Sequence, residues 1–112
     1  MPPSGFNQNA INGLLVFVRD AYSNTLNKYS RSNLSEKEFL EKSSQHLETI
    51  VRKTVLPLQD VISKEGINGL VTFCTENYRD LIKEIQVGKK TEGQAMQYEI
   101  EHISTYLKNF KL

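Results

Sequence analysis

The chain has no tryptophan, one cysteine at position 74 and only three prolines in 112 residues. A single thiol cannot close a disulfide within the chain, so the fold cannot depend on one, and a reducing compartment is the natural setting. Pro2 and Pro3 stand at the start, which leaves Pro57 as the sole proline able to interrupt an interior element. Long apolar runs are missing as well. The longest, Leu14 to Val18, is five residues, far short of the roughly 20 that a membrane span needs. Neither sign of charge dominates: 14 Lys and Arg face 13 Asp and Glu, a formal charge of +1. That balance gives no electrostatic reason to expect nucleic acid or an anionic membrane as partner. No glycine-rich nucleotide loop, regularly spaced metal-ligand set or nucleophile motif is written in the chain. Met1 to Ala10 carries no basic residue, and Arg19-Asp20 follows the apolar run, so no secretory leader is expected and the protein is read as cytoplasmic. The length suits one domain.

What the chain does contain is a repetition. Ile11-Asn12-Gly13-Leu14 recurs as Ile67-Asn68-Gly69-Leu70, an offset of 67 − 11 = 56, half of 112. At that offset Phe17 aligns with Phe73, Tyr22 with Tyr78, Glu36 with Glu92, His46 with His102, Thr49 with Thr105 and Leu56 with Leu112. With the four residues of the motif these make ten identities, more than unrelated segments share by chance. A duplicated supersecondary unit is expected.

Each half reads as two helices. After an arm over 1–8 that lacks periodicity, Ile11, Leu14, Leu15, Val18, Ala21, Tyr22, Leu26 and Tyr29 recur at steps of three and four, one face of a helix ending near Tyr29. Ser35 and Glu38 form a capping box, with Leu34 and Phe39 as a hydrophobic staple, so a second helix starts there. Its inward stripe is predicted as Leu40, Ser44, Leu47, Val51 and Thr54, with Ile50 and Val55 at the edges. Pro57 stops or kinks it. The third helix repeats the first from Ile67 to Ile85 and ends before Gly88-Lys89-Lys90; the fourth opens with a second box, Thr91 to Gln94, and carries Met96, Ile100, Ile103, Leu107 and Phe110. The expected fold is all-α: a single domain over 9–112, an antiparallel four-helix bundle of two duplicated hairpins, repeat units about 1–56 and 57–112.

Several residues are candidates for function. Glu99 and His102 match the Glu-x-x-His spacing of di-metal bundles, but the aligned pair is Ser43 and His46, and Asp20 and Glu76 lie off the apolar stripes. No metal or cofactor is therefore expected, and His46 and His102 read as boundary residues. Glu99 falls within about 40° of its stripe centre, and Tyr22 and Tyr78 near theirs, a polar set able to form a small-ligand pocket or a structural network. Cys74, aligned with Val18, reads as a small core hydrophobe. Lys83, Lys89, Lys90, Lys108 and Lys111 are expected to gather near one end of the bundle and Arg52 and Lys53 near the other, close to helix C-termini where cations are favoured. Gly13 and Phe17, repeated as Gly69 and Phe73, lie about 120° from the stripe centres and form a second face that Val16 widens. These five residues are the expected interface.

The reading is a small non-catalytic helical interaction or regulatory module whose partner is a protein or a second copy in a homodimer. The alternative is a bundle holding a metal ion or small ligand near Glu99, His102 and Tyr78. A further one is weak nucleic-acid binding through the lysines, a partner class not expected from the charge balance.

Overall fold

The computed structural model describes residues 6–88 and 90–110, and among them there is no strand. Four helices follow in order: α1 Gln8–Ser30, α2 Glu36–Val55, α3 Lys64–Val87 and α4 Glu92–Lys108. α1 packs on α2 and α4, and α3 packs on the same two, which is an antiparallel bundle with α1 and α3 on one diagonal. Its extents are 50 × 24 × 18 Å. No helix among the described residues is long and apolar enough to cross a membrane.

Each helix begins where a short polar side chain accepts a hydrogen bond from an amide three residues on: Asn7 from Ala10, Ser35 from Glu38, Ser63 from Gly66 and Thr91 from Gln94. The caps recur every 28 residues (35 − 7, 63 − 35, 91 − 63), so α3 and α4 start 56 residues after α1 and α2. Only Thr91 and Gln94 complete a reciprocal box. At α2 the expected return bond is replaced: the Ser35 hydroxyl donates to the Glu38 carboxylate at 3.1 Å.

Pro57 opens a 3-10 segment, Leu56–Asp60, so the stop is a short extra helix rather than a kinked continuation. Ile62 then turns inward, and α3 enters so close to it that a Cβ on Gly66 would sit 2.8 Å from Ile62 Cγ2. Glycine is needed there for space. At the other end of α3, Gly88 takes φ +80° as the left-handed C-cap.

The inward stripe of α2 differs from the expected one. Thr54 is exposed while Ser43, Ser44, Leu47, Val51 and Val55 are buried. The stripe follows i+4 steps from Ser43 through Leu47 and Val51 to Val55, and that phase carries Thr54 outward. Ser43 and Ser44 donate to the carbonyls of Phe39 and Leu40, so they are satisfied within their own helix and small enough for neighbours to approach. Phe6 lies against Phe110, with ring centroids 5.1 Å apart, and α1 starts at Gln8, so the described part of the N-terminal segment is packed. Residues 1–5 of the expected arm lie outside the described residues.

One sequence expectation fails on topology. Lys83 and Lys90 flank the α3–α4 turn, but α4 runs away from that turn for 17 residues, about 25 Å at the helical rise, before reaching Lys108. Lys108 therefore shares the opposite end of the bundle with Arg52 and Lys53, and no single lysine cluster forms from these three. Lys89 and Lys111 lie outside the described residues.

Candidate functional site

The centre of the bundle is a pair of tyrosines 56 residues apart in the chain. Tyr22 and Tyr78 are both fully buried, and their rings meet at 5.2 Å between centroids. Tyr22 projects from α1 across the diagonal to α3, where its hydroxyl lies 2.7 Å from the Cys74 carbonyl and 2.8 Å from Asn77 Oδ1. Asn77, also buried, spends its amide on α4, donating to the Glu99 carboxylate and to the Glu99 carbonyl at 3.2 Å. Glu99 Oε2 stands 3.5 Å from His102 Nδ1, and the His102 side chain is about half exposed. A polar chain thus runs from the core to the surface through Tyr22, Asn77, Glu99 and His102. It joins three helices.

The partners of these groups set their titration. Burial, with the charges of Glu84 and Asp80, raises the Glu99 carboxyl above its ordinary range, and His102 opposes the rise. Burial also holds the Tyr22 phenol well above its usual value and pushes the Cys74 thiol up to about 12. Cys74 is thus a protonated core side chain whose carbonyl, rather than its sulfur, serves the network.

Tyr78 departs from its counterpart. Ser43 lies beside it, but the Ser43 proton goes to Phe39, and among the described residues the Tyr78 hydroxyl has no hydrogen bond of good geometry. Burial pushes its phenol up to about 12. His46 stands apart from the polar chain, packed edge-on against Tyr29 at 5.5 Å, while burial and then Lys28 lower its pKa. Of the sequence candidates, Tyr22, Glu99 and His102 are brought together, Tyr78 meets Tyr22 through its ring alone, and His46 belongs to the α1–α2 seam. Among the described residues no three His, Cys, Asp or Glu side chains converge to hold a metal. Asn77 was not among the candidates, although it falls on the i+3/i+4 series Leu70, Cys74, Asn77, Leu81, where an asparagine is out of place in an apolar stripe.

The repeated glycine and phenylalanine also part company. On α3, Phe73 stacks on Tyr106 of α4 at 4.1 Å and 11°, and a Cβ on Gly69 would lie 3.4 Å from the Tyr106 hydroxyl. On α1, Phe17 is half-buried against the core, a Cβ on Gly13 would meet no described atom within 4 Å, and Val16 is 61% exposed. The cause lies in α2 and α4: Tyr106 occupies the place that Ile50 holds in the first half.

Three of the surface depressions among the described residues adjoin this frame. An apolar cleft of about 280 Å³ opens at the α1–α2 and α3–α4 turns, lined by Leu26, Phe39, Ile82 and Ile85 with Glu36 and Glu92 at its edge. A shallow depression beside Val16 includes Leu15, Arg19, Asp20 and Ile100. A groove of about 480 Å³ between α3 and α4 is lined by Glu76, Asp80, Glu99 and His102 together with Phe73 and Tyr106. Set against known proteins, the chain matches no family model, no characterised protein and no solved structure, so the functional reading rests on its own geometry.

Two outcomes follow from the network. Tyr22→Phe leaves Asn77 Oδ1 buried without its donor and should cost about 1–3 kcal/mol in urea melts, whereas Tyr78→Phe removes an unpartnered hydroxyl and should be neutral or stabilising. Equal losses would show that the two hydroxyls are equivalent. For Glu99, a raised folded-state pKa means that stability is fullest below the ordinary glutamate range and declines as pH rises from there through the raised value. Glu99→Gln should remove that decline, so the melting-temperature difference between variant and parent should grow in the variant's favour from pH 4 to 7. A constant difference contradicts it.

Proposed function

We propose that the chain is a small non-catalytic helical module of the cytoplasm, that it acts by binding protein, and that its first partner is a second copy bound through the outer face of α1. The observation that carries this is Val16, 61% exposed on a turn whose neighbour Gly13 leaves open space. A large exposed aliphatic beside a glycine lets a second helix approach closely. The surrounding polar groups can be matched across a twofold axis. Two α1 helices crossed antiparallel about Val16 place Asn12 of one opposite Asp20 of the other, and Arg19 opposite the space over Gly13, the reciprocal pattern of an isologous contact. The apolar area is small, so the association is a weak one. Gly69 and Phe73 are already covered by Tyr106, and the contact therefore uses the first hairpin rather than both.

The chain is also read as a duplicated hairpin. Support comes from the caps at equal intervals, the ten identities at one offset, and the meeting of Tyr22 with Tyr78 in the core. A divergent pair of halves accounts for one outer face left open and its counterpart closed.

Sedimentation equilibrium on the full chain, from micromolar to high micromolar concentration, should show a reversible monomer–dimer equilibrium. Val16→Asp should abolish it with the helical circular dichroism unchanged. A parent chain that stays monomeric throughout, or a dimer indifferent to Val16→Asp, would remove the proposal.

A further inference from the structure

The two ends of the bundle differ in shape. The α1–α2 and α3–α4 turns lie at one end and the α2–α3 connector at the other, separated by the 20 residues of α2, about 30 Å at the helical rise. The turn end is concave, for it holds the apolar cleft of about 280 Å³ lined by Leu26, Phe39, Ile82 and Ile85. Gln86 donates to the Glu36 carbonyl at 3.4 Å, which ties the end of α3 to the start of α2 beside the cleft. The volume falls just below the roughly 300–1,000 Å³ of small-molecule sites, room for side chains rather than for a whole ligand. The charged side chains that line it are Glu36 and Glu92, both exposed and in no ion pair among the described residues.

The connector end is convex. Pro57 opens its 3-10 turn, and the path that carries Ile62 inward leaves Val61 63% and Leu56 48% exposed. Single exposed aliphatics are ordinary, but these two share one short turn and are flanked by cations. Lys53 lies three residues before Leu56 and Lys64 three after Val61. With Lys108 of α4 at the same end they outnumber Asp60 and Glu65, and none of the three lysines makes an ion pair among the described residues.

We infer that the chain also associates head to tail, the α2–α3 connector of one copy seated on the apolar cleft of the next, Val61 and Leu56 against Phe39 and Ile85, with Lys53 and Lys64 toward Glu36 and Glu92. The occupant is a second copy because the cleft suits an apolar knob flanked by cations, and the opposite end of the same chain presents one. Such a contact is heterologous. A pair of copies retains one unused connector and one unused cleft, so further copies add in a row or close a ring. The apolar area is small and the association accordingly weak. It uses neither Val16 nor the outer face of α1, so it stands or falls apart from that contact.

Sedimentation velocity of the full chain carrying Val16→Asp, which removes the α1 face from play, is the experiment. From tens of micromolar to millimolar concentration the sedimentation coefficient should rise without levelling at a dimer, and salt raised from about 0.05 to about 0.5 M should weaken the association several-fold, as screening of exposed charges does. Leu56→Asp combined with Val61→Asp should keep the chain monomeric. Ile85→Lys should do the same, with Leu34→Lys, on the same cleft, in its place if Ile85→Lys loses its helical circular dichroism. An equimolar mixture of the connector variant and the cleft variant should associate again and stop at a pair, since one intact connector and one intact cleft remain. A chain monomeric up to millimolar concentration, association that levels at a dimer, or a mixture no more associated than its components would overturn the inference. So would a connector that binds anionic phosphatidylserine vesicles while the chain shows no self-association, because its partner would then be a lipid surface.

Discussion

A phenol with no solvent exposure must find its hydrogen bond inside the protein, and the Tyr22 hydroxyl finds it across the bundle diagonal. Net, such a bond contributes only about 0.5–1.5 kcal/mol, but leaving its partner unsatisfied costs about 1–3 kcal/mol. That asymmetry makes the contact a constraint on geometry more than a source of stability. Because Asn77 must then place its amide, and Glu99 is there to receive it, α1, α3 and α4 are fixed in mutual register by one chain of donors and acceptors. Apolar stripes alone permit sliding and rotation; the polar chain does not. The register also determines the α3–α4 groove, since Glu99 is turned toward it by the same bonds that bury it.

The two halves share a frame but not its contents. Tyr22 is satisfied while Tyr78 is not. Phe73 has an aromatic cover, whereas the α1 face beside Phe17 stays partly open. Each difference traces to a partner on another helix: Asn77 stands where the first half has Ala21, and Tyr106 where it has Ile50. Substitution at one member of an aligned pair therefore changes the environment of residues that are themselves identical. The outer face of α1, open where its counterpart on α3 is covered, is a place where this inequality falls.

The helical architecture was legible because its signals are local. Periodicity placed the helices to within a few residues, the Ser35 and Thr91 caps gave the starts of α2 and α4, and Pro57 and Gly88 gave the breaks. The polar site was legible in part: Tyr22, Tyr78 and Glu99 fall on inward faces by spacing alone, and all three are buried. What spacing could not provide is the choice of partner. The bond from Tyr22 to Asn77 spans 55 residues and depends on the diagonal placement of α1 and α3. The shift from Thr54 to Val55 depends on which rotation of α2 best fits two neighbours, and the separation of Lys108 from Lys90 on the direction of α4.

The central claim is that Tyr22 and Asn77 act as one unit, and a double-mutant cycle reads it directly. Stabilities of the parent, Tyr22→Phe, Asn77→Ala and the double variant, taken from urea melts under one condition, give the interaction energy of the pair. A coupling of about 1 kcal/mol or more is expected, because the bond the two share can be lost only once, while Tyr22 keeps the Cys74 carbonyl and Asn77 keeps Glu99. Losses that add to within about 0.5 kcal/mol would contradict it, and the two side chains would then be independent occupants of the same core.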